Sequence, residues 1–124
     1  MNSIRNNSII FIFFIFSYFN IYSQTSGFIN VKGNVEKEQK PLPNAIINLI
    51  KADKIIEKTT TKNDGSFSIR IPLLDDYILE ITQNGLITMK FRFNTNLPDN
   101  VPNDKTYDFQ LNVQLFQKVE EIIN

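Results

Sequence analysis

The chain has 124 residues, of which 42% are hydrophobic and 21% charged, and its 13 basic and 13 acidic side chains balance. It contains no histidine, cysteine or tryptophan, so a histidine-based triad, a thiol nucleophile, a Cys/His zinc site and a disulfide framework all lack the atoms they need. The length favours one domain, and the balanced charge gives no reason to expect nucleic acid or an anionic surface as a partner.

The first 23 residues have the order of segments that is typical of a secretory signal. Arg5 precedes an unbroken apolar run at residues 9–16, and small Ser23 stands at the expected cleavage position. An uncleaved membrane anchor is the alternative, but Ser17 and Asn20 interrupt the run before the ~20 apolar residues that a spanning helix needs. We predict cleavage after Ser23, which leaves 101 residues (124 − 23) with 12 basic and 13 acidic groups.

From Phe28 onward, apolar residues recur at every second position, which predicts an all-β domain. The odd-numbered residues of the first strand, 28–35, share one face. Gly33 lies among them, and a glycine inside a strand indicates the close approach of another backbone or of a large ring such as a phenylalanine. A charged turn at residues 36–40 follows, and Leu42 between two prolines forms an elbow that is expected to close one end of the domain.

The second predicted strand, residues 45–50, is apolar on both faces. Its odd-numbered residues share one face, and Ile46 and Ile50 lie on the other. Either a neighbouring part of the chain covers this second face, or Ile46 and Ile50 form an exposed apolar strip of the kind that marks a contact surface. These two isoleucines are the candidate interaction residues.

Five further strands are predicted at residues 55–61, 66–71, 77–82, 87–93 and 107–115. Asn-Asp-Gly at 63–65 and Asn-Gly at 84–85 are strong turn signals, and a polar stretch with two prolines at 95–104 reads as a longer connection. Phe67, directly after its turn, is expected to bury its ring. Seven strands with short turns are typical of a single antiparallel two-layer sandwich.

Four blocks of sequence resemble the carboxypeptidase regulatory-like domain family. They are Gly-Asn-Val at 33–35, Pro-Leu-Pro-Asn-Ala at 41–45, Thr-Lys-Asn-Asp-Gly-Ser-Phe at 61–67, and Tyr-Ile-Leu at 77–79 with Gly85. The family often has aspartate and tyrosine where this chain has Lys62 and Leu86. Residues 95–116 are similar to the tail of small exported Bacteroidetes proteins that carry the module.

This resemblance implies a transthyretin-like, immunoglobulin-like β-sandwich over residues 24–116, after the signal peptide 1–23 and before a short tail, 117–124. The tail leaves open that the chain is a shortened form of a longer protein. The implied function is that of a noncatalytic module, without cofactor or metal, that binds another cell-envelope protein or serves as a structural unit. The expected location is the periplasm, the outer membrane or the extracellular space, with no nucleic-acid partner and no membrane span after cleavage.

Two other functions are alternatives to this one. A carbohydrate-binding module would use Phe28 and Phe116, the aromatic residues of the mature chain that are not assigned to inward faces. An enzyme would need two carboxylates across a cleft, and a short-looped sandwich offers little cleft. Asp75-Asp76 and the turn at 63–65 lack the spacing of a calcium loop, so we interpret both as turns.

Overall fold

The computed structural model describes residues 27–119, which form eight β-strands and no helix. The seven predicted strands are all present, with ends shifted by at most two residues, and the eighth, β2, has only two residues. The strands are β1 Phe28–Lys37, β2 Lys40–Pro41, β3 Ile46–Lys51, β4 Lys54–Thr60, β5 Ser66–Pro72, β6 Asp76–Thr82, β7 Met89–Asn94 and β8 Thr106–Gln114. The predicted signal peptide and residues 120–124 of the predicted tail lie outside the described residues.

The strands form two sheets whose apolar faces enclose one core. In sheet A, β1 pairs with β5 and the short β2 on one side and with β8 on the other. Sheet B has the order β4-β3-β6-β7, and all its pairs are antiparallel. No helix within residues 27–119 is long and apolar enough to span a membrane.

The prediction of a wholly antiparallel sandwich is wrong for one strand pair. β8 runs parallel to β1, in register from Phe28 opposite Thr106 to Glu36 opposite Gln114. The sequence pattern does not distinguish the two cases, because side chains alternate between faces in parallel and antiparallel strands alike. The connection after β7 crosses to sheet A and delivers β8 beside the start of β1, where the Phe28 N–H donates to the Lys105 carbonyl over 3.3 Å.

The core consists of residues that the period-two pattern places on the inner faces, together with Leu86 of the β6–β7 connection, which the pattern does not predict. Val31 and Val35 of β1 are fully buried, and the Phe67 ring is buried as predicted. Both sheets contribute to the cluster, which contains Val31, Val35, Ala45, Ile47, Leu49, Phe67, Ile69, Ile71, Tyr77, Leu79, Ile81, Leu86, Val113 and Leu115.

The structure confirms the predicted close approach of another backbone and a large ring to Gly33. A Cβ atom at this position would lie 1.5 Å from the carbonyl oxygen of Leu111 and 3.1 Å from the ring of Phe67. Both the backbone of β8 and a phenylalanine ring therefore occupy the space that any larger residue would need. The absence of a side chain at Gly33 allows β8 to lie against β1 near the middle of their shared ladder.

The elbow around Leu42 is anchored by hydrogen bonds. The Leu42 N–H donates to the Val35 carbonyl over 2.9 Å. The buried Thr61 hydroxyl donates to the Leu42 carbonyl at 2.6 Å and accepts the Ala45 N–H at 2.9 Å. Leu42 itself packs, partly buried, against the core.

Residues after β8 join the two sheets. The Ile87 N–H donates to the Phe116 carbonyl at 2.7 Å, and the Lys118 N–H donates to the Gly85 carbonyl at 3.2 Å. Leu86 and Gln117 form an antiparallel bridge between these bonds. The last described residues thus link the end of a sheet A strand to the β6–β7 connection of sheet B.

Candidate interaction surface

The outer face of sheet B carries the residue positions opposite to the core. β3 places Ile46, Asn48 and Ile50 on this face, and antiparallel pairing sets Asn48 and Ile50 beside Glu80 and Ile78 of β6. Because β3 and β6 are the two inner strands of the sheet, their outward residues are flanked on both sides. The outer face is therefore a continuous four-stranded surface.

Four isoleucines gather on this face and are termed here the isoleucine patch: Ile50, Ile55, Ile56 and Ile78. Ile50 lies opposite Ile55 of β4 and Ile78 of β6. A register shift next to Ile50 leaves Ile56 as an extra residue in β4, which is a β-bulge. Ile55, Ile56 and Ile78 are 57%, 48% and 38% exposed, and Ile50 is half-buried between them. Contiguous apolar exposure of this kind is typical of a binding surface.

A two-residue turn joins the strands on which three of these isoleucines lie. Its residues Ala52 and Asp53 have φ values of 49° and 63°, as the tight hairpin turn with two left-handed residues requires. The turn places Lys51 opposite Lys54 and Ile50 opposite Ile55. The local chain geometry therefore holds Ile50 and Ile55 side by side.

Ion pairs border the patch. Arg92, which lies opposite Ile78 in the β6–β7 pair, donates from Nε to both carboxylate oxygens of Asp76 at 3.0 and 3.1 Å, and from Nη2 to Oδ2 at 2.5 Å. The Lys51 ammonium lies 2.6 Å from Asp75 Oδ2. The forked Arg92 contact fixes the guanidinium in one orientation, as is usual for paired arginine and carboxylate groups.

These ion pairs keep both carboxylates charged. The hydrogen bond from Arg92 is the largest cause that lowers the pKa of Asp76, and the hydrogen bond from Lys51 lowers the pKa of Asp75 in the same way. The same contacts raise the pKa of Arg92 and Lys51. A carboxylate with a lowered pKa is a weak proton acceptor near neutral pH, so the pairs are better suited to orienting a partner than to acid–base catalysis.

An open concavity of about 530 Å³ adjoins the patch. Its lining includes the two ion pairs, the β3–β4 turn and Tyr77, whose pKa is raised chiefly by burial. Ile50 and Ile78 line the concavity as well. Patch and concavity therefore form one surface, with an apolar centre and a charged border.

Asn48 is a buried polar residue on the same face. Its Nδ2 donates to Glu80 Oε1 at 3.1 Å, and its Oδ1 is buried without a partner. Asn48 lies between Ile46 and Ile50 along β3 and separates them. The isoleucine patch therefore ends at Ile50 and does not continue to Ile46.

The two predicted interaction residues occupy different surroundings. Ile50 is part of the patch, whereas Ile46 lies between Thr60 of β4 and Thr82 of β6; both isoleucines are half-buried. The sequence pattern does not predict Ile55, Ile56 or Ile78 as interaction residues. The adjacent pair Ile55-Ile56 breaks the alternation of its strand, and this break is the signal by which the bulge could have been found.

The acidic side chains of the described residues were the other candidates for a functional site, as metal ligands. Residues 27–119 contain no group of three or more acidic side chains arranged to hold a metal ion. Asp64 closes its turn by accepting from the Ser66 N–H at 3.0 Å and from the Ser66 hydroxyl at 2.6 Å, which lowers its pKa. Its carboxylate therefore has a turn-stabilising role, as expected for aspartate at such a position.

The two aromatic residues considered for carbohydrate binding differ in accessibility. The Arg70 guanidinium lies over the Phe28 ring, 4.5 Å from its centroid, so that one face of this ring is occupied. Phe116 is exposed and borders a second concavity of about 420 Å³. Gln39, Gln114 and Gln117 line that concavity with it.

Comparisons with known proteins bear on the fold. No family model matches the sequence, and no curated protein matches it. Among solved structures, chlorocatechol 1,2-dioxygenase from Pseudomonas putida aligns with TM-score 0.57 at 9% identity, over 77% of this chain and 62% of that one. Catechol 1,2-dioxygenase from Acinetobacter sp. ADP1 aligns with TM-score 0.55 at 8% identity, over 82% and 58%.

The TIE protein of Bacillus anthracis aligns with TM-score 0.51 at 17% identity, over 73% of this chain and 17% of that one. The chain spans about three-fifths of the length of the two dioxygenases. At such low identity the similarity concerns the fold alone, and the shared part of these structures is a β-sandwich. The described chain therefore has an immunoglobulin-like β-sandwich fold.

Proposed function

We propose that this protein is a noncatalytic, exported β-sandwich module of the carboxypeptidase regulatory-like type that binds another cell-envelope protein. The observation that carries the proposal is the isoleucine patch, an exposed apolar cluster on an ordered sheet. In this proposal the partner contacts the outer face of sheet B. The isoleucine patch lies at the centre of the contact, and the Arg92–Asp76 and Lys51–Asp75 pairs lie at its border.

The layout of this surface supports the proposal. Protein interfaces typically have an apolar centre and a polar, solvent-accessible rim. Full burial of an isoleucine side chain contributes about 1.5–3 kcal/mol. Since the exposed members of the patch are already about half covered, each would contribute about 1 kcal/mol on binding. Loss of two of them is expected to weaken the complex by at least about 30-fold.

Capture from the native cell envelope with matched variants tests this surface. The tagged mature chain is used as bait beside the double variant Ile55→Lys/Ile78→Lys. Ile87→Lys is the control, since Ile87 is 43% exposed but lies outside the patch. We expect a specific partner to be recovered with the unmodified chain and with the control, and to be lost with the double variant.

Both variants must first give the circular dichroism spectrum of the unmodified chain, since the surface is tested only in folded protein. The variant Ile46→Lys tests whether Ile46, the other residue predicted from the sequence, takes part in binding. We expect this variant to bind normally, because Ile46 lies outside the patch. Recovery of the same partners with the double variant would contradict the proposed surface.

Export is tested separately from binding. Expression of the full chain in a bacterial host with an outer membrane, followed by fractionation and N-terminal sequencing, is expected to give an envelope protein that begins at Gln24. A chain that still begins at Met1 and is found in the cytoplasmic fraction would contradict the proposed location.

The concavity beside Phe116 favours a second candidate, carbohydrate binding. It combines an exposed aromatic ring with glutamine side chains, which can stack on a sugar and hydrogen-bond its hydroxyl groups. Affinity electrophoresis on a panel of bacterial and host polysaccharides tests this candidate. Retardation that disappears in Phe116→Ala would support it, and unchanged mobility on every polysaccharide would exclude it for that panel.

A further inference from the structure

The sandwich has strand edges that pair with no other strand among residues 27–119, and most of them carry features that prevent edge-to-edge pairing. Natural proteins use lysine, proline and bulges for this purpose. β4 has its bulge and Lys58, β7 carries Lys90 and Arg92, and β5 ends at Pro72. Each of these edges would bring an irregularity or a charge to an approaching strand.

β8 is the exception. It is nine residues long, contains no lysine, arginine or proline, and has one charged residue, Asp108. Its pairing with β1 runs over nine consecutive residues without a register shift. The outer edge of β8 therefore presents a long, regular row of backbone donors and acceptors, and no other strand of residues 27–119 pairs with it.

Apolar side chains accompany this edge. Phe109 lies opposite Val31 on the inward face of sheet A, yet it is 47% exposed because β8 is the last strand of the sheet. Its ring meets the Phe93 ring of sheet B edge-on, with centroids 5.4 Å apart. Leu111, two residues further along β8, is half-buried. The opening between the two sheets at this edge is thus lined by groups that would gain from being covered.

We propose that β8 pairs antiparallel with β8 of a second copy of this chain, about a twofold axis at Gln110. The two copies of sheet A then form one continuous sheet. Nine opposed residues in an antiparallel ladder exchange about eight to ten backbone hydrogen bonds, because every second pair exchanges two. This contact uses no residue of the isoleucine patch, so it is independent of the proposed function.

The sequence of β8 favours its own copy as the occupant. With the axis at Gln110, Phe109 of each copy faces Leu111 of the other, and the apolar side chains on the inward face cover one another. Asp108 faces the neutral Asn112, so no like charges meet across the contact. An antiparallel self-pair of β7 centred at Phe91 would instead place Lys90 opposite Arg92, and like charges directly opposite are destabilising.

Cysteine cross-linking is a direct test, because the natural chain contains no cysteine. In the proposed dimer the two Cα atoms at position 110 are about 4.5–5.5 Å apart, within the span that a disulfide bridges. The variant Gln110→Cys of the mature chain is therefore expected to form a disulfide-linked dimer under mild oxidation. Lys58→Cys, on the edge strand β4, is the matched control and is expected to remain monomeric on a non-reducing gel.

A second pair of variants checks the register. Asp108→Cys and Asn112→Cys face each other across the proposed axis, so a mixture of the two is expected to cross-link. Each variant alone places its two cysteines four residues apart along the strands, which is about 14 Å, since a strand rises about 3.4 Å per residue. Cross-linking of either variant alone at the level of the mixture would overturn the proposed register.

Light scattering supplies an independent measurement. The unmodified mature chain is expected to have the mass of a dimer at high concentration and to dissociate on dilution. Phe109→Lys adds an edge lysine at a half-exposed position and is expected to give a folded monomer. A monomeric unmodified chain without Gln110→Cys cross-linking, equal cross-linking of Lys58→Cys, or a dimer that survives Phe109→Lys would each overturn the proposal.

Discussion

The substitution Gly33→Ala tests the contact between the first and last strands of sheet A. The added Cβ would lie 1.5 Å from the Leu111 carbonyl oxygen, against an ordinary contact distance of 3.4–4 Å. The two strands would therefore have to separate by about 2 Å at this point. A change of side-chain rotamer cannot relieve a clash with a backbone atom, so the substitution is expected to break the β1–β8 ladder locally.

The magnitude follows from two contributions. Overpacking a well-packed site costs about 1–3 kcal/mol, and the severe overlap at Gly33 places this substitution at the upper end. Separation of the strands also weakens one or two ladder hydrogen bonds, each with a net contribution of about 1 kcal/mol. The free energy of unfolding should fall by about 4 kcal/mol, which for a domain of this size lowers the melting temperature by about 20 °C.

Thermal unfolding followed by circular dichroism measures this effect. Gly85→Ala is an informative control, because nothing lies within 4 Å of a Cβ there, while φ is +83°. Alanine at that left-handed position should cost only about 1–2 kcal/mol. The additional change Phe67→Leu should not rescue Gly33→Ala, since the tighter overlap is with the backbone of Leu111.

The reasoning would be refuted if Gly33→Ala melted within a few degrees of the unmodified protein, or if Gly85→Ala were the more destabilised of the two. Either result would mean that β8 does not lie against β1 in the described register. Rescue by Phe67→Leu would mean that the ring, not the backbone, limits the space.

Two further predictions concern hydrogen bonds. Thr61→Val leaves the Leu42 carbonyl and the Ala45 N–H without their hydroxyl partner. In urea unfolding it should lower the free energy of unfolding by about 2 kcal/mol. Thr61→Ser should retain most of the stability, and equal stability of the two variants would contradict this reasoning. Asp76 should titrate below its ordinary pKa of 3.8 because of the hydrogen bond from Arg92, so its stabilising contribution is present above pH 3.8 and is lost as the pH falls through the lowered pKa. In an NMR titration, Arg92→Gln should move the midpoint back towards 3.8, and an unchanged midpoint would show that the ion pair is absent in solution.

Much of the fold follows from the period-two pattern, because a residue at every second position of a strand faces the same side. This holds for Val31, Phe67 and Tyr77, and it located every long strand. The pattern carries no information on strand direction, so it does not predict the parallel pairing of β8. Phe109 shows a related limit: its inward orientation could be predicted, but its exposure depends on β8 being the edge strand.

The candidate site could be predicted only in part. The sequence predicts Ile50 as a contact residue because β3 is apolar on both faces. Ile55 and Ile56 join it only through the bulge in β4, and Ile78 only through the pairing of β6 with β3. These neighbours come from distant parts of the chain, and strand order is a property of the whole fold that local alternation does not encode.

The parallel arrangement of β1 and β8 has a mechanical consequence. The chain enters the described domain at the beginning of β1 and leaves it beyond the end of β8, so the two ends emerge at opposite poles of the same ladder. A pulling force applied between them would act along the strands and load all nine residue pairs at once. In an antiparallel pair at that place, both ends would lie at the same end of the ladder, and the hydrogen bonds would break one after another from that end. The whole β1–β8 ladder, and not one end of it, therefore carries a force applied between the two ends of the described domain.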